Sequence, residues 1–292
     1  MKWWTTRFAR GTGRLGWPGC GGDSVLQALI LGIVQGATEF LPISSSGHLV
    51  LVPWFLGWED PGLAFDTFLH LGTLVAVLGY FRHDLWSLAL AWAGSLRERS
   101  LGGPQARVAW LIILGTLPAV AMGLTLESLF ERLFARPVWV SILLLVTGLL
   151  LFLGEGVRKS ESRMESLTWL DALLVGLAQG VAIAPGISRS GATISAGLWR
   201  GLGREEAARF SFLLATPAIL GANLLQLWDL TRLSGAGEVA STLLLGFLAA
   251  AVSGYLAIRF LLGFLKRRSL YPFSLYCWLL GTFTLLLSLL RG

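Results

Sequence analysis

The chain has 292 residues, 54% of them hydrophobic and only 14% charged. A soluble domain carries about 25% charge, so a soluble fold is excluded and a polytopic membrane protein is indicated. The net charge of +6 does not point to nucleic acid, because excess Lys and Arg in a membrane protein mark its cytoplasmic loops.

Residues 1–23 are basic and Gly-rich and lack the apolar core of a signal peptide. They read as a disordered tail ahead of a single membrane domain over 24–292. Cys20 and Cys277 stand far apart, which leaves no disulfide framework and no Cys metal site. The first apolar stretch, 25–41, breaks at Pro42 and a Ser/Gly run, and a second follows over 48–56. Non-helical backbone at membrane depth survives only where protein buries it or it lines a cavity. The segment therefore reads as a re-entrant hairpin of two half-helices. Spans are expected at about 63–80, 108–126 and 138–154, each near the roughly 17–25 residues a crossing needs. The run 85–93 is too short to cross and is expected at the interface or packed inside. A second broken segment, 168–184 then 192–199, reads as another hairpin, followed by spans at about 209–228, 239–264 and 271–290.

The two broken segments are copies. At an offset of 144 residues, Gly32, Gln35, Gly36, Ile43, Ser44, Ser46 and Gly47 meet Gly176, Gln179, Gly180, Ile187, Ser188, Ser190 and Gly191. Three spans separate the hairpins, so they enter from opposite faces. The expected fold is thus an all-α polytopic membrane protein, with six transmembrane helices plus two re-entrant helical hairpins in an inverted repeat. Repeat 1 covers about 24–154 and repeat 2 about 168–292. Such repeats place their sites near the midplane, where broken helices meet. One loop face collects Arg82, Arg97, Arg99, Arg107, Arg158, Lys159, Arg163, Arg200, Arg204, Arg209, Lys266, Arg267 and Arg268. The other has Arg132, Arg136, Arg232 and Arg291, joined by Lys2, Arg7, Arg10 and Arg14 of the tail. The richer face is cytoplasmic by the positive-inside rule, which puts both termini and the mouth of the first hairpin outside.

The copies differ in chemistry. Glu39 faces Ile183, Ser45 faces Arg189 and His48 faces Ala192 across the repeat. Ionisable groups at membrane depth usually face a cavity or a partner. Gln35 and Glu39 share a helix face at i, i+4, His48 is expected to open the second half-helix, and Ser45 stands three residues before it. Serines and a glycine ahead of a helix N-terminus suit an anion, and an Arg fork suits the paired oxygens of a phosphate. Asp66 and His70, also at i, i+4, could orient groups in the same site. Hydroxyls, helix N-termini, a guanidinium, an imidazole and a carboxylate able to hold a cation suit phosphoryl transfer, which needs positioning and charge stabilisation. A transporter on the same scaffold is the competing reading. The asymmetry of the two loops favours chemistry.

The stretches Gly-Ala-Thr-Glu-Phe-Leu-Pro-Ile-Ser-Ser-Ser-Gly-His and Pro-Gly-Ile-Ser-Arg-Ser-Gly-Ala-Thr-Ile resemble the two signature motifs of the bacterial undecaprenyl pyrophosphate phosphatase family, the bacitracin-resistance type. The similarity runs from about residue 24 to the C-terminus and includes Phe-Ser-Phe-Leu-Leu-Ala at 210–215. It implies an enzyme of the bacterial plasma membrane that hydrolyses undecaprenyl pyrophosphate to undecaprenyl phosphate, recycling the carrier for cell-wall precursors and conferring bacitracin resistance. It also implies a divalent cation, Mg or Ca. Carried onto this chain, the catalytic residues are Glu39, Ser45, His48 and Arg189. Ser44, Ser46, Ser188, Arg189, Ser190 and Thr193 line the substrate phosphates, and Glu39 with Gln35 holds the cation. Ser45 and His48 are expected to form the nucleophilic pair, with either as the attacking group. Many members carry Glu where this chain has Gln35, and the basic tail lies outside the family pattern. The partners are then the lipid substrate and the bilayer, with no nucleic acid; a homodimer stays open. Type-2 phosphatidic acid phosphatases are excluded, because they need a second catalytic His and none follows His83.

Overall fold

A computed structural model describes residues 22–59, 62–126, 129, 133, 136–157, 161–230 and 240–291. The tail up to residue 21, with its four charges, lies outside the described residues, as do Arg132, Arg158, Lys159 and Arg232.

Eleven α-helices make up the described fold: α1 Gly22–Phe40, α2 Ser45–Leu56, α3 Leu63–Tyr80, α4 Arg82–Glu98, α5 Pro104–Thr125, α6 Pro137–Val157, α7 Trp169–Val181, α8 Arg189–Trp199, α9 Arg204–Leu230, α10 Ala240–Leu265 and α11 Tyr271–Leu290. Five of them, α5, α6, α9, α10 and α11, are long and apolar enough to cross a membrane. The sixth expected span, α3, has 18 residues, about 27 Å of helix, at the short end for a bilayer core of about 30 Å. The polypeptide is a multi-pass, all-helical membrane protein.

The short run expected at 85–93 is part of a longer helix, α4. Near its start Asp84 accepts from Arg209 of α9 at 2.6 Å, and near its end Ser95 accepts from Trp110 Nε1 of α5 at 3.0 Å. Arg209 and Trp110 both lie early in their helices, so α4 starts and finishes at one end of the bundle. Trp86 and Leu90 project from it, exposed.

The same end gathers further polar contacts. Glu155 accepts from the Arg204 guanidinium and from the Leu270 amide, which joins α6, α9 and α11. Asp171 pairs with Arg200, and its carboxylate completes a capping box with Thr168 at the start of α7. Lys266 lies 3.4 Å from Glu205. Arg107 donates to the Leu167 carbonyl at 2.8 Å. Away from this end, Arg291 stacks over Trp54 of α2.

The halves of the chain interlock. Helix α1 lies along α10, α7 lies along α5, and α6 packs on α11. Each hairpin is thus clasped by the second span of the other half. Glycines make the clasp close. A Cβ on Gly32 would stand 2.6 Å from the Gly246 carbonyl oxygen and 2.7 Å from the Ala249 methyl. Its repeat partner Gly176 lies against the backbone of Gly115 in the same manner. Small residues let membrane helices approach to backbone contact, which replaces the missing hydrophobic drive between helices.

Candidate active site

Helix α1 ends at Phe40, one residue pair before Pro42, and places Glu39 in its last turn. The chain turns through 41–44, and α2 begins at Ser45, three residues earlier than the sequence suggested. The reason is capping. Ser44 accepts the Gly47 amide on its hydroxyl at 3.3 Å, so the serines after it join the helix. Helix α8 shifts by the same three residues, from an expected start at 192 to Arg189, because Ser188 accepts the Gly191 amide at 3.1 Å. The two caps are repeat partners.

Their backbones differ. Ser188 is extended, whereas Ser44 sits at φ 72, ψ 97. A positive φ is uncommon outside glycine and stores about 1–3 kcal/mol when the surroundings hold it. Here the Ser44 carbonyl accepts from the His48 amide at 3.2 Å and from His48 Nδ1 at 2.7 Å. In the second tip the positive φ falls on Gly186, at 99, where a Cβ would also collide with the Val140 carbonyl. Thr147 of α6 fixes this tip by donating to the Gly186 carbonyl at 2.8 Å and accepting the Ser188 amide at 3.0 Å.

The two tips meet over Glu39, which is only 7% exposed. Its Oε1 accepts from Arg189. Its Oε2 accepts from the Ser45 hydroxyl at 2.6 Å and from Gln35 Nε2 at 3.0 Å. A buried carboxylate needs such compensation, since an isolated one would neutralise instead. Ser190 ties the tips further by donating to the Leu41 carbonyl at 3.2 Å. Ser188 and Ser190 lie 3.1 Å apart, and Ser44 and Ser46 3.4 Å. A small pocket opens beside this cluster. Glu39, Arg189, Ser190 and Ser211 give it a polar floor; Phe40, Phe212, Ala215 and Ile219 give it an apolar wall.

Three expected residues are placed otherwise. Ser45 and His48 do not form a pair. Ser45 donates to Glu39, and both ring nitrogens of His48 are engaged elsewhere. A carbonyl oxygen can only accept, so Nδ1 carries a proton toward Ser44. The other nitrogen, Nε2, then accepts from the Tyr276 hydroxyl at 2.7 Å. The rings stack at 5.8 Å with 7° between their planes. The group positioned to take a proton from Ser45 is Glu39. Thr193 is fully buried and bonds the Arg189 carbonyl and the Ser211 hydroxyl, at 2.7 and 2.6 Å. It shapes the first turn of α8 and does not face the pocket.

Tyr276, Thr147 and Ser211 are the partners that sequence reasoning missed. Ser211 stood inside the stretch 210–215 already noticed. Tyr276 and Thr147 carried no local signal, for their partners lie 228 and 39 residues away.

A cation fits part of this arrangement. Gln35 Oε1 is buried with no hydrogen-bond partner, and its amide is already joined to Glu39. An unpartnered amide oxygen beside a carboxylate suits a hard divalent ion. Among the described residues no group of three or more His, Cys, Asp or Glu is assembled, so the protein alone offers no complete cage.

Residues 28–283 match the family described as "Bacitracin resistance protein BacA". Among curated relatives, a protein of Rubrobacter xylanophilus is 48% identical over 270 residues, covering 91% of this chain and 99% of that one. One from Methanosphaera stadtmanae is 46% identical over 274 residues, covering 90% and 98%. One from Geobacter sulfurreducens is 47% identical over 259 residues, covering 88% and 96%. All three carry the name undecaprenyl-diphosphatase. With a match that spans most of its length and hairpin tips that join over one carboxylate, this chain belongs to the BacA bacitracin resistance protein family.

Proposed function

We propose that this protein hydrolyses undecaprenyl pyrophosphate to undecaprenyl phosphate and inorganic phosphate, and so returns the lipid carrier to cell-wall synthesis. The observation that carries the mechanism is the chain Ser45–Glu39–Arg189 across the two hairpin tips. The relatives' shared name supports the substrate. A transporter on this scaffold has no observation in its favour, because the two tips are chemically unlike.

In the reaction, Arg189 swings from Glu39 to the pyrophosphate, where its fork matches paired phosphate oxygens. The Ser44, Ser46, Ser188 and Ser190 hydroxyls and the α2 and α8 N-termini accept the remaining negative charge. Glu39 takes the proton of Ser45 as Ser45 Oγ bonds to the terminal phosphorus. The bond from that phosphorus to the bridging oxygen breaks, and the bridging oxygen leaves on undecaprenyl phosphate with the proton that Glu39 gives up, which restores the carboxylate. Water then attacks the phosphoserine, Glu39 accepts its proton, and inorganic phosphate departs as Ser45 Oγ is reprotonated. His48 holds the Ser44 carbonyl and keeps the first tip in its strained turn. A divalent cation, Mg or Ca, would be held by Glu39 and Gln35 and would supply charge stabilisation to the phosphates.

We place the enzyme in the bacterial plasma membrane with both termini outside the cytoplasm, following the loop charges. Phosphate release from a C55 or C15 pyrophosphate by purified protein, with and without chelator, tests the function. Release that the chelator stops is expected. No release from either lipid would refute it.

A further inference from the structure

Among the described residues near the tips, His70 is a titratable group that the mechanism leaves without work. It stands on α3, on the side of Glu39 away from Arg189's contact at Oε1. Its Nδ1 bonds the Asp66 carbonyl at 2.8 Å. Since that oxygen can only accept, Nδ1 carries a proton, and in the tautomer this favours Nε2 is the ring's free acceptor. That nitrogen lies 3.9 Å from Glu39 Oε2, too far for a hydrogen bond. Two electron-rich atoms therefore face one another across a gap in a buried site, and their arrangement calls for something positive between them. The side chain of His70 is 33% exposed, so the ring is not sealed in the core.

We infer that His70 Nε2 is a ligand of the cation this site takes, which gives that cation one nitrogen beside its oxygens. The inference rests on the reading of the site as a cation-assisted phosphatase. The distance agrees: two metal–ligand bonds of about 2.1 Å span up to roughly 4.2 Å. The orphaned Gln35 Oε1 is the second sign, because it is an acceptor lacking a donor on a side chain that already donates to Glu39. Glu39 is the only carboxylate the tips supply, so an imidazole adds a ligand without adding charge. Imidazole suits ions such as Zn, Fe and Ni, whereas Ca is held by oxygen alone. The nitrogen should thus count against Ca2+, and Mn2+ serves as the probe because its unpaired electrons report a ligand nitrogen directly.

The test is Mn2+ binding to chelator-stripped protein in detergent, read by electron paramagnetic resonance for coupling to a histidine nitrogen. Wild type and His83→Gln, whose imidazole lies at the start of α4, should show the coupling. His70→Gln should lose it and bind Mn2+ about ten-fold or more weakly, with its cation preference moved toward Mg2+ and Ca2+. The wild-type spectrum alone decides the matter should the variant fail to fold. Mn2+ bound without nitrogen coupling, coupling that persists in His70→Gln, or no Mn2+ bound at all would each overturn the assignment. Phosphate release by wild type in Mg2+, measured alongside, separates the two claims. Release without nitrogen coupling leaves the phosphatase standing and removes His70 from the cation.

Discussion

Glu39→Gln is the substitution that bears hardest on the mechanism. The amide keeps the shape of the side chain and can still accept from Ser45 or from Gln35. It loses the charge that balances Arg189, and it cannot take a proton from Ser45. Removing a general base costs about 10²–10⁴-fold in rate, equivalent to about 2.7–5.4 kcal/mol of transition-state stabilisation. Breaking a buried ion pair costs about 3–5 kcal/mol of stability. The lower end applies here, because the Arg189 side chain is 25% exposed and water reaches it. The variant should therefore fold, melt somewhat earlier and release phosphate at least 10²-fold more slowly. The sharper form of the assay is a double-mutant cycle. Glu39→Gln, Ser45→Ala and the double variant are each assayed for phosphate release from a C15 pyrophosphate. If Glu39 works through the Ser45 hydroxyl 2.6 Å away, the second change adds nothing to the first. Losses that multiply would show that the two act separately and would refute Ser45 as the nucleophile that Glu39 activates.

Arg189→Lys keeps the charge but loses the fork; most activity should disappear while the melting profile stays close to wild type, and near-normal turnover would remove the clamp. Tyr276→Phe deletes one hydroxyl and leaves His48 Nε2 with no donor, at about 1–3 kcal/mol; turnover should fall with little change in KM, and an unchanged kcat would show that the tautomer of His48 is fixed without Tyr276. Gly32→Ala drives a methyl into the Gly246 carbonyl at the α1–α10 crossing; thermal stability in detergent should drop by about 1–3 kcal/mol, and an unshifted melting point would mean that the crossing yields easily. Reporter fusions after residue 292 should give active alkaline phosphatase and dark green fluorescent protein; the reverse pattern would invert the topology.

Much of this architecture can be read along the chain because its signals are local. Pro42, Pro185 and the Ser/Gly runs end one helix and begin another within a few residues, and the 144-residue offset declares the two tips to be copies. The meeting of Glu39 with Arg189 follows from that symmetry once the copies are seen to carry opposite charges. The half-helices start three residues before the expected positions because Ser44 and Ser188, which lie in Ser/Gly runs that look like loop, are the favoured residue type for an N-cap and act as one. The Ser45–His48 pairing failed for a different reason. Residues three apart on a helix can share a partner or take two, and which occurs depends on groups far away in sequence. Glu39 draws the hydroxyl and Tyr276 draws the ring. No local pattern announces a tyrosine 228 residues downstream.

The interlocking of the halves bears on how the protein is made. Gly32 waits for Gly246, 214 residues later in the chain. At about 5–20 residues per second, synthesis needs roughly 10–40 seconds to deliver that partner. For most of this interval the first tip, with its carboxylate and imidazole, must be sheltered by the insertion machinery or stay out of the hydrocarbon, since Arg189 follows Glu39 only after 150 residues and Tyr276 comes later still. A ribosome-stalled half-chain should consequently leave a single cysteine introduced within residues 35–48 open to aqueous thiol reagents, and closure should come only when the tenth helix arrives.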